Sequence, residues 1–140
     1  MSEIYLGSRY SRLDELNGYA RELRADGHTV SARWLTGEHG TLVGHTSRAE
    51  GDAFARLCAE HDRDDLGRAD AVVIFTDPPD FKSPRGRGGV HVEFGMALAL
   101  RKRVLVVGHR VHVFHHLPEV EFYLTWPEAR TALNGGGSRP

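Results

Sequence analysis

A single carboxylate follows a basic, glycine-rich segment in the second half of the chain. Residues 85–89 read Arg-Gly-Arg-Gly-Gly, and Glu93 is the only acid in the apolar run that continues to Arg101. The apolar and small residues of this run predict a buried helix, with Glu93 in its first turn. Helix amides and nearby arginines both favour an ionised carboxylate there. The pattern is consistent with a binding or catalytic site, and equally with an ordinary acid at a helix start.

Two other titratable positions are candidates for the same chemistry. Asp62, Asp64 and Asp65 end a predicted helix, where acids oppose the helix dipole and therefore need another reason to be present. We interpret Asp64 and Asp65 as a solvated charge cluster, and Asp62 as an acid that can turn inward to bind a hydroxyl group or the edge of a base. Tyr5 lies in the first predicted strand, where a buried core tyrosine is the ordinary interpretation.

The histidines and glycines do not complete any other common site. His112, His115 and His116 form an H-x-x-H-H pattern, but no second ligand cluster or cysteine pair accompanies it. The chain has no G-x-x-x-x-G-K-[ST] phosphate loop, and Ser8 and Ser11 lack the context of a nucleophilic serine. We therefore expect no metal site and no cofactor.

Hydrophobic periodicity places these residues on alternating strands and helices. Apolar and alternating runs predict strands at 4–6, 29–35, 71–75, 103–108 and 122–125. Capping patterns predict helices that begin at Ser11 and Ser47, followed by the helix of Glu93 and a short one at 127–133. Wholly apolar central strands favour a three-layer α/β fold: a mainly parallel sheet of about five strands with helices on both faces, Rossmann- or flavodoxin-like. Residues 1–133 form one predicted domain, and 134–140 a disordered tail.

The edge of this sheet is the predicted site. In such folds ligands bind beyond the carboxyl ends of the strands, which selects residues 5–9, 34–36, 76–80 and 109–111. The segment before Glu93 reaches the same edge. Tyr5 and Glu93 are thus predicted to converge.

Composition limits the partners of the protein. The chain has 140 residues and a formal net charge of -1, which gives no overall field for a nucleic acid polymer. Cys58 is the only cysteine, so no intrachain disulfide forms and a reducing compartment is the simplest setting. No apolar run approaches the length of a membrane span. We expect a soluble, cytoplasmic protein that binds a small molecule.

Three motifs in this order resemble one known family. They are Ile4-Tyr5-Leu6-Gly7, Asp62 eight residues ahead of Asp70, and His91-Val92-Glu93-Phe94-Gly95 followed by the small and apolar residues 97–99. Together they are similar to the nucleoside 2-deoxyribosyltransferase-like family, which includes nucleoside 5'-monophosphate N-glycosidases. The resemblance covers residues 4 to about 108.

The resemblance implies a role for each acid. Glu93 would be the nucleophile that attacks the anomeric carbon of a nucleoside, Tyr5 would orient it, and Asp62 would contact or protonate the leaving base. A covalent glycosyl-enzyme would then react with water, which gives hydrolysis, or with a second base, which gives transfer. The family also implies a homodimer or larger homo-oligomer, with residues 111–114 or the helix from Ser47 at the contact.

One departure from the family pattern bears on the substrate. Many of the transferases carry an acid six residues before the nucleophile, where this chain has Arg87, with Arg85 nearby. A guanidinium suits a phosphate better than a hydroxyl group, which favours hydrolysis of a nucleoside 5'-monophosphate. The other predicted substrate or phosphate contacts are Gly7, Ser8, Arg9, Gly89 and His91. Base exchange by a deoxyribosyltransferase and a non-catalytic nucleotide sensor remain the alternatives.

Overall fold

Four parallel strands form the sheet at the centre of the protein. The computed structural model describes residues 1–37, 47–81 and 88–135. The strands lie side by side in chain order: β1 (Ile4–Gly7), β2 (Ala71–Phe75), β3 (Arg103–Val107) and β4 (Val120–Tyr123). All five residues of β2 are buried, because helices cover both sides of the sheet. The predicted α/β, Rossmann-like fold is confirmed.

The four α-helices of the described residues divide between the two faces of the sheet. They are α1 (Leu13–Ala25), α2 (Arg48–Arg68), α3 (Gly89–Ala99) and α4 (Trp126–Leu133). The ring of Phe75 in β2 stacks 5.3 Å from Tyr19 of α1 and lies 5.7 Å from Trp126 of α4. Because side chains alternate along a strand, the neighbouring Ile74 points to the opposite face, where its Cδ1 approaches Gly7 beside α3.

The predicted count of about five strands is wrong, and the missing strand is the segment 29–35. Within the part of the chain that the structure describes, Thr29 makes a single parallel bridge with Glu3 at the edge of the sheet. The chain then turns into a 3-10 helix, Arg33–Thr36. The Trp34 indole N–H donates to the Leu6 carbonyl at 2.8 Å, so the alternation seen in the sequence reflects burial against β1 rather than strand pairing.

Of the two capping serines that the sequence predicts, the structure confirms Ser47 and contradicts Ser11. Ser47 caps α2 as expected, since its hydroxyl accepts from the Glu50 amide at 3.1 Å. The predicted Ser11 cap is wrong: α1 follows a 3-10 turn, and no side chain caps its first turn. Instead the Ser11 hydroxyl accepts a hydrogen bond from Arg9.

Hydrogen bonds hold the residue after α4, Asn134, against the turn that follows α1. Asn134, placed by the sequence in the tail, donates to Asp26 at 2.9 Å and contacts His28 at 2.7 Å. Residues 136–140, the rest of the predicted tail, lie outside the described residues. None of the helices described is both long and apolar enough to cross a membrane.

Asp65 is a buried structural acid, contrary to its interpretation as part of a solvated cluster. It accepts from the Arg33 amide at 2.8 Å and from Arg33 Nε at 3.0 Å, and it also pairs with Arg68. These bonds tie the end of α2 to the 3-10 helix and leave Asp65 only 3% exposed. Its neighbour Asp64 is the solvated one, 4.0 Å from Arg33 and more than half exposed.

We expect Asp65→Ala to lower the free energy of unfolding by about 2–4 kcal/mol, because the Arg33 amide and guanidinium lose hydrogen bonds to a buried, charged acceptor. Urea denaturation measures the change. Asp64→Ala is the matched control and should change stability by less than about 0.5 kcal/mol, as is usual for exposed pairs. Equal effects of the two substitutions would contradict the structural role of Asp65.

Candidate active site

A cavity of about 790 Å³ lies beyond the carboxyl ends of β1 and β2. The chain leaves β1 toward α1 on one face of the sheet and leaves β2 toward α3 on the other, and such a divergence opens a crevice where ligands bind. The lining combines residues from these strand ends, from α2 and from the start of α3: Ser8, Arg9, Trp34, Asp62, Asp77, Phe81, Gly89, His91 and Glu93.

Glu93 enters this cavity from the second turn of α3. The helix begins at Gly89, so the predicted place of Glu93 in the first turn is wrong. Helical side chains lean toward the N-terminus of their helix, which directs the carboxyl group back toward the cavity. A Cβ atom built on Gly7 would lie 2.5 Å from Glu93 Oε2 and 3.5 Å from Tyr5 Cε1. The missing side chain of Gly7 is therefore what admits the carboxyl group beside Tyr5.

The carboxyl group and the phenol meet where water has little access. Glu93 Oε2 and the Tyr5 hydroxyl are both buried, and neither has a hydrogen-bond partner of good geometry among the described residues. They are close enough to influence each other, since each shifts the other's pKa. Hydrogen bonds of this kind often tighten only when a substrate is bound.

Burial keeps both of these groups protonated. The pKa of Glu93 is raised to about 8, chiefly by burial and further by the nearby Asp62, while the Tyr5 hydroxyl acts in the opposite direction. The described surroundings thus do not favour the ionised carboxylate that the sequence predicts, because the loss of hydration outweighs the helix dipole. Burial and Glu93 together raise the pKa of Tyr5 well above its ordinary value, so its hydroxyl remains a donor.

Asp62 supplies the second acid of the cavity from α2. Its pKa is raised to about 7, chiefly by burial and also by Asp65, while Arg33 acts in the opposite direction. Near neutral pH, Asp62 and Glu93 together therefore carry about one proton. A pair of carboxyl groups in that state can present one anion and one acid at the same time.

Arg9 is fixed at the rim of the cavity by several contacts. Its Nε lies 3.0 Å from Asp77 Oδ2, and its guanidinium stacks 4.5 Å above the Phe81 ring. Ser8 donates to the Arg9 carbonyl at 2.8 Å. The first turn of α3 faces the same space without an acidic residue or a side-chain cap, a favourable surrounding for an anion.

The predicted site residues therefore fall into three groups. Those that line the cavity are Glu93, Asp62, Ser8, Arg9, Gly89 and His91. Tyr5 and Gly7 lie directly behind Glu93. Arg85 and Arg87 lie outside the described residues.

Sequence reasoning did not single out three lining residues, Trp34, Asp77 and Phe81. The strand-end rule covers the first two as part of longer ranges, but nothing in the sequence distinguishes them from their neighbours. Phe81 lies one residue beyond the selected range. No sequence pattern indicates its role, because its contact with Arg9 is formed only in the folded chain.

Three histidines beside the cavity have nitrogens within 4.8 Å of one another: His91, His112 and His115. Their arrangement does not suit a metal. The rings of His112 and His115 are stacked 3.7 Å apart at 30°, so these two side chains contact each other through their ring faces. The Val111 amide also donates to His115 Nδ1 at 3.0 Å, which places the proton of the neutral ring on Nε2, the other ligand atom.

We expect Gly7→Ala to lower the free energy of unfolding by about 1–3 kcal/mol, because the new methyl group overlaps the Glu93 carboxyl group. Chemical denaturation measures the effect. Gly95→Ala on α3 is the control: an added Cβ meets nothing within 4 Å there, and alanine favours a helix by up to about 1 kcal/mol. A loss of stability confined to Gly95→Ala would contradict this account of Gly7.

We expect Glu93→Gln to become more stable than the wild type as pH rises from about 5 to about 8. The folded pKa of Glu93 is raised to about 8, so the wild type loses stability above the unfolded value near 4.5 and the loss is complete above about 8. Each pKa unit corresponds to about 1.4 kcal/mol. Thermal unfolding at both pH values measures the difference, with the exposed Glu119→Gln as control. If the stabilities of the wild type and Glu93→Gln change by the same amount between the two pH values, the raised pKa of Glu93 is refuted.

Comparison with known proteins supports the fold. The sequence matches no family model and no curated protein sequence. Among solved structures, the chain is similar to the CMP N-glycosidase BcmB of Clostridium botulinum, with a TM-score of 0.54 and 18% sequence identity. The similarity covers 94% of this chain and 98% of that one. At this identity the likeness shows a shared α/β architecture.

Proposed function

We propose that the protein cleaves the N-glycosidic bond of a nucleoside 5'-monophosphate and releases the free base. The observation that carries the proposal is the pair Glu93 and Asp62, two carboxyl groups that line one cavity and whose pKa values are both raised into the neutral range. Glycoside cleavage uses such a pair, one group as nucleophile and the other as acid. The fold shared with a protein described as a CMP N-glycosidase supports a nucleotide substrate.

The first step forms a covalent intermediate. The Glu93 carboxylate attacks the anomeric carbon, a C–O bond forms as the C–N bond breaks, and the bond's electrons leave with the base. Asp62 donates its proton to the departing base. This step requires the proton on Asp62, although burial alone favours it on Glu93. The positive charge that develops on the sugar in the transition state reverses that preference, because it lies against Glu93.

The second step restores the enzyme. A water molecule attacks the anomeric carbon, Asp62 accepts a proton from it, and Glu93 leaves as a carboxylate. The net reaction adds one water across the glycosidic bond. Tyr5, held protonated by burial and by Glu93, keeps a donor directed at the carboxyl group and limits its rotation.

The monophosphate is assigned from the charges around the first turn of α3. Arg87 replaces the acid expected for a bare nucleoside, and Arg85 lies two residues before it. Gly89 at the helix start and Arg9 at the rim offer further donors to a phosphate. In this proposal Ser8 and His91, which line the same cavity, contact the sugar phosphate.

We expect the wild type to release base from CMP or another common monophosphate, as chromatography would show. Glu93→Gln and Asp62→Asn should each lower kcat/KM by about a hundredfold or more, because nucleophile and acid are lost. The exposed Asp64→Asn is the matched control. The corresponding nucleosides should react about ten- to a hundredfold more slowly, the value of one charge-assisted bond.

The same assay separates the alternatives. Full activity in Glu93→Gln would refute the covalent step. Turnover that requires an added second base would indicate a transferase, and a bound monophosphate that stays intact would indicate a sensor.

A further inference from the structure

The segment that follows β3 is packed against α3 through aromatic rings. Phe94 of α3 lies 4.8 Å from the ring of His115 and 5.3 Å from that of His112. His91, also on α3, lies 5.0 Å from His112. These contacts join the helix that carries Glu93 to residues 109–117. No step of the proposed reaction uses His112 or His115.

These rings are placed where a positive charge is unfavourable. His115 is 1% exposed, and its Nε2 and the Nδ1 of His112 are buried without a hydrogen-bond partner among the described residues. Burial, followed by the surrounding bases, lowers the pKa of His115 to about 4. These bases are His112 and Arg110 on the segment after β3, His91 on α3, and His116, which lies with His115 in a second 3-10 helix, Val113–His116. The pKa of His112 is also lowered, by burial and by His91.

The Glu93 carboxyl group lies elsewhere, toward Gly7 and Tyr5. It is not among the groups that shift the pKa of either histidine. Among the described residues, no acid contributes to the pKa shift of either stacked ring, so none there stabilises an imidazolium.

We propose that His112 and His115 are positioning residues, which hold α3 and with it Glu93 in place only while both imidazoles are uncharged. The inference rests on the proposed function for the role of Glu93, but the packing of the rings on α3 is independent of it. Val111 and His91 line the cavity, so a displaced segment changes the cavity as well as the helix.

Protonation acts on two contacts at once. A proton on His115 Nδ1 replaces the acceptor of the Val111 amide with a second donor, at an N···N distance of 3.0 Å. When His112 is protonated as well, two cations lie face to face at 3.7 Å and repel each other. Because the folded pKa of His115 lies below the unfolded value near 6.5, stability is lost as pH falls from about 6.5 to about 4.

The test compares His115→Asn with the wild type between pH 7.5 and pH 5. Asparagine keeps an acceptor for the Val111 amide and does not titrate, and the exposed His109→Asn on the same segment is the control. We expect the unfolding equilibrium constant of the wild type to rise about tenfold or more over this range relative to His115→Asn.

A second measurement separates this inference from the proposed function. Between pH 5 and about pH 4, where His115 gains its proton and Glu93 no longer titrates, NMR amide shifts of α3 should move in the wild type and in His109→Asn and much less in His115→Asn, whether or not the protein cleaves a nucleotide. Identical shifts in wild type and His115→Asn would overturn the inference. So would an imidazole pKa near 6.5 for His115 in the wild type, which needs no variant to fold. Stabilisation of the wild type by Zn²⁺ that His115→Asn abolishes would replace it with a metal site.

Discussion

The approach of the Glu93 carboxyl group to the backbone of Gly7 is the constraint on which the candidate site depends. Any side chain at this position would overlap an oxygen of Glu93, since a Cβ would lie only 2.5 Å away. The approach also requires parallel pairing of β1 with β2, which sets Gly7 opposite Ile74 at the edge of the sheet. The site is thus built into the layer packing of the fold, and surface loops contribute its rim.

That packing has an electrostatic consequence. Taking Glu93 and Asp62 out of water raises both pKa values into the neutral range, where an isolated surface carboxyl group would be fully ionised. A protein selected for stability alone would place apolar side chains here. Two buried acids that are costly to ionise are therefore better explained by chemistry than by folding, because functional sites are where local rules are broken.

The sequence predicts those parts of the structure that depend on local patterns. Apolar runs identify β2 and β3, and the Ser47 cap identifies the start of α2, because these signals need only neighbours in the chain. The prediction of a strand at 29–35 is wrong because Trp34 alternates with other buried residues as it would in a strand. The same alternation occurs here in a segment that leads into a 3-10 helix, whose Trp34 bonds to Leu6. Asp65 was misread for a related reason: its partner Arg33 is 32 residues away, and no local pattern shows that contact.

The candidate site likewise has features that the sequence predicts and features that depend on the folded structure. Strand order and the strand-end rule predict that Tyr5 and Glu93 converge, because parallel strands place their carboxyl ends at one edge. The pKa of Glu93 could not be predicted in this way. The sequence suggests a helix dipole and arginines, whereas the depth of burial depends on how α2, α3 and β1 close around the carboxyl group.

Burial has opposite effects on the titratable groups at the two sides of α3, because it raises the pKa of an acid and lowers the pKa of a base. On the side of β1, burial holds Glu93 in its protonated form, and on the side of β3, burial holds His115 in its deprotonated form. Both groups are therefore uncharged in the packed helix over a shared window of pH. Acid protonates His115 and alkali ionises Glu93, and either charge opposes the packing of α3. Near neutral pH the helix that carries the proposed nucleophile therefore has both of these groups uncharged, and the two acids of the cavity still retain a proton there.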